Sequence, residues 1–223
     1  MYETNYHRAE SVADAASKVG EDGKFLAGGQ TLLPTMKQRL AAPSDLVDLS
    51  KIDGLSGIEV DDKSVKIGAM TTHAEVASHA GLRAVCPAIC DMGGWIGAPH
   101  VRHRGTIGGS IANNDPAADY PSAMMALGAT IHTDQREIAA DDFFTGMFET
   151  ALNEGEIITA VSFTAPEKCA YEKFRNPASR YAMAGVFVAH HGDAVRVGVT
   201  GASSGGVYRP VDMEEALSGN FSV

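Results

Sequence analysis

Two glycine pairs stand beside hydroxyl and amide side chains at widely separated points of this sequence. The first lies in AGGQTLLP, residues 27–34, and the second in GTIGGSIANNDP, residues 105–116. Glycine can adopt positive φ and lets a ligand approach the backbone closely, and several converging amides form a site for an anion such as phosphate. We therefore expect the two pairs to hold one diphosphate from two sides.

The simpler interpretation of either pair alone is a tight turn, since Gly-Gly is common in loops. The first pair, however, follows an apolar run and precedes apolar residues at helical spacing, which predicts a strand, a turn and a helix. Thr31 would cap this helix, and its first turn would favour an anion. Neither GxGxxG nor GxxxxGK[ST] is present, which argues against a Rossmann dinucleotide site and a P-loop.

Composition narrows the class of protein. The 223 residues carry a net charge of −10, and 44% are hydrophobic, so we expect no nucleic-acid partner and a sizeable core. No apolar stretch approaches the roughly 20 residues that a membrane span needs, and the first residues do not resemble a signal peptide. We expect a soluble, cytoplasmic protein.

The three cysteines and the paired histidines offer no convincing metal site. Cys86, Cys90 and Cys169 are expected to be core or near-surface thiols in a reducing compartment, because two thiols four residues apart do not supply the ligands of an iron–sulfur cluster. His100 and His103 lack a third ligand at useful spacing. We expect no metal in this chain.

Hydrophobic periodicity predicts an α+β fold in three parts. Residues 1–53 alternate helices with strands, which favours parallel pairing. Residues 54–166 mix short antiparallel strands with helices, and residues 167–223 begin a third unit of three strands and one helix. The expected helices are 11–19, 31–41, 72–80, 84–92, 120–127 and 211–217, and the expected strands are 24–27, 46–49, 57–60, 64–67, 130–133, 137–139, 157–163, 171–174, 184–190 and 194–200.

Longer strings carry a family resemblance. AGGQTLLP (27–34) and GTIGGSIANNDPAADYP (105–121) resemble the paired glycine motifs of the FAD-binding medium subunits of molybdenum hydroxylases, the xanthine dehydrogenase family. Residues 141–163 are most similar to the aerobic carbon monoxide dehydrogenase branch. The resemblance implies a PCMH-type fold of two FAD-binding subdomains, followed by a C-terminal α+β domain that is longer in the family, so residues 167–223 are expected to be an incomplete domain.

The resemblance also implies roles for individual residues toward FAD. The first FAD loop corresponds to Leu26, Ala27, Gly28, Gly29, Gln30, Thr31 and Leu32. The second, on the same diphosphate, corresponds to Thr106, Gly108, Gly109 and Ser110. No histidine lies in the first loop, so non-covalent FAD is expected.

Further residues are implied around the ribityl chain and the flavin ring. Asp119 corresponds to an acidic residue that reaches the ribose or ribityl hydroxyls, although it could instead cap the following helix. Ile96, Gly97 and Ile158 correspond to positions that pack near the rings. Lys173 or Arg175 falls near a basic residue that stabilises reduced flavin, or is simply solvated, and Tyr181 corresponds to an aromatic residue that shields one flavin face or fills the core.

The function that the resemblance implies is electron transfer within an oxidoreductase. Molybdopterin and iron–sulfur clusters belong to a large and a small partner subunit, in an expected dimer of heterotrimers. Electrons would pass from the iron–sulfur subunit to FAD and then to an external acceptor such as a quinone, with peripheral membrane association through that acceptor. Two alternatives stay open: a stand-alone flavin oxidase and a non-catalytic nucleotide-binding module.

Overall fold

The computed structural model describes residues 1–219, in which four β-sheets alternate with short helices. The strands are β1 Asn5–Arg8, β2 Lys24–Leu26, β3 Asp45–Asp48, β4 Ile58–Asp61, β5 Ser64–Gly68, β6 Thr130–Thr133, β7 Glu137–Ala139, β8 Phe144–Gly146, β9 Glu149–Thr150, β10 Ile158–Thr164, β11 Lys168–Arg175, β12 Ala182–His191 and β13 Ala194–Thr200. The helices are α1 Val12–Lys18, α2 Leu32–Lys37, α3 His73–Ser78, α4 Ala80–Val85, α5 Pro87–Trp95, α6 Pro99–Arg102, α7 Ile107–Asn113, α8 Tyr120–Leu127, α9 Ala140–Phe143 and α10 Val211–Gly219. No helix within residues 1–219 is both long enough and apolar enough to cross a lipid bilayer.

The N-terminal part forms the expected parallel sheet, in the order β1-β3-β2. Its first strand was not predicted, because Asn-Tyr-His-Arg has no apolar alternation and is mostly exposed. Helix α1 begins where Ser11 accepts a hydrogen bond from the amide of Asp14. Helix α2 is shorter than predicted and ends at Lys37, because Arg39 adopts a φ of 62° that no helix continues through.

The central part is an antiparallel sheet in the order β4-β5-β10-β6-β7, with helices packed against it. Thr72 and Glu75 form a capping box that starts α3, in which each side chain accepts from the other residue's amide. The single helix predicted over 84–92 is two helices, α4 and α5. They are separated at Cys86 because Pro87 lacks an amide proton and begins a new helix.

The last sheet, β11-β12-β13, lies against α8, whose eight residues are all buried. A Cβ on Gly198 would lie 2.0 Å from the carbonyl oxygen of Ser122, so glycine permits this close approach of strand to helix. Tyr171 and Phe187 from this sheet belong to the same hydrophobic cluster as Ile131 of the central sheet. The three strands and the final helix predicted after residue 166 are present, while the domain boundaries at 53 and 166 stay predictions.

A buried carboxylate organises the turn before β10. The side chain of Glu156 is 0% exposed and accepts hydrogen bonds from Arg136 Nε at 3.0 Å, Thr133 Oγ1 at 2.7 Å and the amide of Asn153 at 2.7 Å. The hydrogen bond from Arg136 is the largest influence, and it helps to lower the pKa of Glu156 to about 2. This cluster ties the chain that enters β10 to the β6–β7 hairpin.

We expect Glu156→Gln to lower the free energy of unfolding at neutral pH by about 1.5–3 kcal/mol, the usual worth of hydrogen bonds to a charged group. Because the folded-state pKa lies below the ordinary value, the carboxylate contributes its full stability above about pH 4.5. That contribution is lost as the pH falls toward about 2. Urea unfolding between these pH values should therefore be less pH-dependent in the variant. Glu154→Gln removes an exposed charge from the same turn and is the control; equal pH dependence in both variants would contradict the assignment.

Candidate functional site

A single cavity of about 800 Å³ collects most of the residues that the sequence predicted for a ligand site. Its walls come from the N-terminal sheet, the central part and the loop between β11 and β12. Of the predicted site residues, the lining includes Leu26, Ala27, Gly28, Gly29, Gln30, Thr31, Leu32, Ile96, Gly97, Thr106, Gly108, Gly109, Ser110, Asp119, Ile158 and Tyr181. Lys173 and Arg175 are not part of the lining.

The first glycine loop follows β2 and presents free amides. Gly29 has a φ of 70°, a conformation that L side chains rarely adopt. Within residues 1–219, the amides from Gly28 through Thr31 donate no hydrogen bond to a protein atom. The next paired amide is that of Leu33, which donates to Gly29 O at 3.2 Å. Adjacent amides without protein partners beside a cavity form an anion-binding concavity.

The second glycine pair, Gly108 and Gly109, was predicted to have positive φ and free amides, and the structure shows neither. Both glycines lie in helix α7, and their φ values are negative. Gly108 donates to Ala69 O at 2.8 Å, and Gly109 donates to the Oγ1 of Thr106, which caps the helix. Glycine is required at 108 by packing, since a Cβ there would lie 2.6 Å from the Cβ of Ala69. This loop therefore offers the cavity hydroxyl groups and small surfaces rather than free amides.

The two glycine loops touch. A Cβ on Gly28 would lie 2.0 Å from the carbonyl oxygen of Arg104 and 2.8 Å from Gly105 Cα, and a Cβ on Gly109 would lie 3.5 Å from that of Ala27. The backbone at Gly28 is in contact with the backbone at Arg104 and Gly105, and no side chain would fit at residue 28. The expectation that the two pairs share one cleft is met.

The part of the cavity wall formed by Ile96 and Gly97, which we call the apolar end, is braced by arginine. Arg102 Nη1 donates to the carbonyl oxygens of Ile96 and Gly97, both at 3.1 Å, and thereby fixes a loop in which Gly97 has a φ of 50°. Ile158, which is 6% exposed, and Tyr181, which is 49% exposed, also line the cavity. Arg102 thus holds this part of the cavity wall in its conformation.

Asp119 belongs to a buried polar cluster and does not cap helix α8 with its side chain. Its carboxylate accepts from the hydroxyl of Tyr171 and from Lys173 Nζ at 2.9 Å. The Lys173 side chain is 1% exposed, so the expectation of a solvated lysine is wrong. Burial raises the pKa of Asp119 while Lys173 opposes that shift. Arg175 lies 5.3 Å from the centroid of the Trp95 ring, outside the cavity lining.

Sequence reasoning missed many of the residues that line the cavity, and three of these bear on its chemistry. His73 is 5% exposed, its Nδ1 has no partner within residues 1–219, and burial lowers its pKa to about 4, so it is neutral. Phe148, at a φ of 58°, lies in the β8–β9 turn. Arg180 lies in the β11–β12 loop, where its amide donates to Asn176 O at 2.8 Å. The loop residues are remote in sequence from the glycine motifs, and no local pattern marks them.

The cavity lining carries five charged side chains, and two of them have ion-pair partners. Asp119 is paired with Lys173 and Glu156 with Arg136, whereas Lys24, Asp115 and Arg180 form no salt bridge within residues 1–219. No group of three or more His, Cys, Asp or Glu side chains in the described part of the chain could hold a metal ion. The cavity thus combines free amides and unpaired charged side chains with apolar surface.

Comparison with known proteins identifies the family. The model of the "FAD binding domain in molybdopterin dehydrogenase" matches residues 2–166. The carbon monoxide dehydrogenase medium chain of Afipia carboxidovorans is 41% identical over 194 residues, which cover 82% of this chain and 67% of that protein. The nicotine 6-hydroxylase medium subunit of Paenarthrobacter nicotinovorans is 36% identical over 227 residues, which cover 96% and 80%. The structure of reconstituted CO dehydrogenase from Oligotropha carboxidovorans superposes with a TM-score of 0.89 at 36% identity, over 97% of this chain and 80% of that one.

This chain therefore belongs to the family of FAD-binding domains of molybdopterin dehydrogenases. It is the flavoprotein part of an oxidoreductase, and the predicted α+β FAD-binding fold is confirmed. The cavity suits FAD on its own features: free amides for a diphosphate, two glycine loops that a Cβ would force apart, and an apolar end for a planar ring system. The prediction that FAD is the cofactor of this chain is confirmed at the level of the family.

We expect Gly28→Ala to destabilise the protein by about 1–3 kcal/mol, as overpacking does, because its Cβ would overlap the backbone at Arg104. The control is Gly94→Ala in helix α5, where the nearest atom to a Cβ is 3.9 Å away and alanine is the better helix former. Thermal unfolding of both variants tests the contact between the loops. A Gly28→Ala protein as stable as Gly94→Ala would show that the loops do not meet.

Proposed function

We propose that the cavity holds FAD non-covalently, with its diphosphate against the first glycine loop and its rings at the apolar end. The free amides from Gly28 through Thr31 would donate to the phosphate oxygens. The hydroxyl of Thr106 accepts a hydrogen bond from the amide of Gly109, and its own proton would be donated to the ligand. The hydroxyl of Ser110, which also lines the cavity, would donate in the same way. Ile96, Gly97, Ile158 and Tyr181 would enclose the isoalloxazine or adenine, where apolar surface favours planar rings.

The observation that carries this proposal is the direct contact between the two glycine loops on one cavity wall. A dinucleotide has two phosphates joined at its centre and an aromatic group at each end. A narrow junction of backbone, with free amides on one loop and hydroxyl groups on the other, fits such a centre. His73 beneath the second loop is neutral at neutral pH and adds no positive charge to the site, so the amides and hydroxyl groups of the loops would bind the diphosphate.

FAD, when bound, supplies the electron-transfer chemistry, and the protein positions it and adjusts its electrostatic surroundings. Asp119 would accept hydrogen bonds from ribose or ribityl hydroxyls while Lys173 balances its charge from behind. The basic group beside the flavin would be Arg180, in place of the expected Lys173 or Arg175, because Arg180 alone of the three lines the cavity. Its guanidinium lies 3.5 Å from Gly97 O, at the apolar end.

In the complete enzyme this chain would act as an electron-transfer subunit. Electrons would arrive from an iron–sulfur small subunit, after substrate oxidation at molybdopterin on a large subunit, and would leave for an external acceptor such as a quinone. A dimer of heterotrimers, a cytoplasmic location and peripheral contact with a membrane through the quinone stay predictions. The relatives' names, "medium chain" and "medium subunit", support a multi-subunit assembly.

Binding of different flavins tests the diphosphate site. We expect the chain to bind FAD at least about tenfold more tightly than FMN or riboflavin, because only FAD presents a diphosphate to both loops. Isothermal titration calorimetry measures the three affinities, and the visible spectrum reports the bound flavin. Equal affinities for FAD and riboflavin would contradict a diphosphate held between the loops. Substrate-dependent reduction of the isolated holo-chain would favour the stand-alone oxidase.

Arg180→Gln tests the cation at the apolar end. Because reduction makes the flavin more negative, we expect the variant to weaken binding of reduced FAD about tenfold more than binding of oxidised FAD. This ratio corresponds to a midpoint potential lower by about 30 mV for a two-electron couple. Arg180→Lys keeps the charge and should restore most of the potential. Arg175→Gln removes the same charge over Trp95, outside the cavity, and is the matched control; an equal shift in both glutamine variants would contradict the role of Arg180.

A further inference from the structure

Two cysteines that are 83 residues apart in sequence are in contact where the start of helix α5 meets strand β11. The Sγ atoms of Cys86 and Cys169 are 3.6 Å apart, and the sulfurs form a hydrogen bond. Cys86, at the junction of α4 and α5, is fully buried, whereas Cys169 on β11 is partly exposed. Sequence reasoning considered Cys86 with Cys90, four residues away, and did not foresee this pairing.

The two thiols differ in exposure and in pKa, although both lie at the start of α5, where the amide of Ile89 donates to the sulfur of Cys86. Cys169 lies at the amino terminus of α5, a helix of nine residues, where the amide of Ala88 donates to its sulfur. The hydrogen bond from Cys86, and after it that from Ala88, hold the pKa of Cys169 below its usual value, although burial opposes them. The same thiol pairing, together with burial, raises the pKa of Cys86. Amides at a helix amino terminus stabilise a thiolate, which is the nucleophilic form of cysteine.

We propose that Cys169 and Cys86 form a peroxide-reactive thiol pair, in which Cys169 is oxidised first and Cys86 then closes a disulfide. In the first step the Cys169 thiolate attacks hydrogen peroxide, an S–O bond forms, the O–O bond breaks, and the leaving hydroxide becomes water with the proton that Cys169 released on ionisation. In the second step the Cys86 sulfur attacks the sulfenic acid, an S–S bond forms, the S–O bond breaks, and the second hydroxide leaves with the Cys86 proton as water. The two sulfurs lose two electrons, and one peroxide becomes two waters.

Cys90 provides an internal comparison. It is fully buried in the middle of α5, and burial raises its pKa to about 11. Arg83 opposes this shift without cancelling it, and neither of the other two sulfurs forms its hydrogen bond with Cys90. The proposed chemistry is therefore specific to one pair among the three thiols.

The disulfide would join two elements that carry parts of the cavity wall. Helix α5 leads through Trp95 into Ile96 and Gly97, and β11 carries Tyr171 and Lys173, which hold Asp119. The bond would fasten the C-terminal sheet to the central part. The reaction of the thiol pair does not require FAD, so its test is independent of the proposed function.

The test is a map of the cysteines after peroxide treatment. The fully reduced chain, free of added thiol, is treated with one equivalent of hydrogen peroxide at neutral pH, unfolded in N-ethylmaleimide, digested and analysed by mass spectrometry. We expect a peptide cross-linked between Cys86 and Cys169, with Cys90 alkylated. Cys90→Ser should give the same cross-link. Cys86→Ser should accumulate a sulfenic acid at Cys169 that dimedone traps, at least tenfold above any label on Cys90.

The wild-type map decides the matter even if a serine variant fails to fold. Alkylation of all three cysteines after peroxide treatment, or a cross-link that contains Cys90, would overturn the proposal. Dimedone on Cys86 or Cys90 in place of Cys169 would overturn the assigned order of oxidation. Return of the cross-linked pair to two thiols with dithiothreitol would support a reversible disulfide over higher oxidation.

Discussion

The contact between Gly28 and the backbone at Arg104 and Gly105 is the constraint on which the site depends. A methyl group at residue 28 would lie 2.0 Å from a carbonyl oxygen, so the loops approach as closely as backbone allows. The amides from Gly28 through Thr31, whose residues line the cavity, have no hydrogen-bond partner in a neighbouring strand or helix of residues 1–219. Much of the rest of the fold holds these two loops at that distance. The N-terminal parallel sheet fixes the first, and the capped helix α7, packed on Ala69, fixes the second.

The cavity also needs residues beyond the segment that the family model matches. That segment ends at residue 166, whereas Arg180 and Tyr181 from the β11–β12 loop complete the lining. The buried ion pair of Asp119 and Lys173 joins the residue that precedes α8 to β11. Breaking a buried ion pair by removing one partner is strongly destabilising, because it leaves a charge uncompensated. The C-terminal sheet is thus part of the site as well as of the core, which agrees with the shared hydrophobic cluster.

Hydrophobic periodicity was sufficient to predict the helices and strands whose apolar residues recur at regular spacing. Helix α8 and the strands β6, β7 and β13 lie at the residues that periodicity indicated, because their apolar spacing matches their burial. Local pattern did not predict β1, a polar strand that is defined by its pairing with the parallel strand β3. It also did not predict helix α7, in which the second glycine pair lies and which Thr106 caps. Site residues close to a motif were found, whereas His73, Phe148 and Arg180 depend on tertiary contacts that no short string encodes. The Cys86–Cys169 contact is of the same kind.

The most direct measurement of the central claim is a crystal structure of this chain with FAD bound. The account predicts density for the diphosphate in the junction between the glycine loops, with phosphate oxygens within hydrogen-bond distance of amides in the Gly28–Thr31 segment and the isoalloxazine at the end lined by Ile96 and Gly97. Density that places the diphosphate away from this junction, or a bound flavin in which those amides stay without a ligand partner, would contradict it.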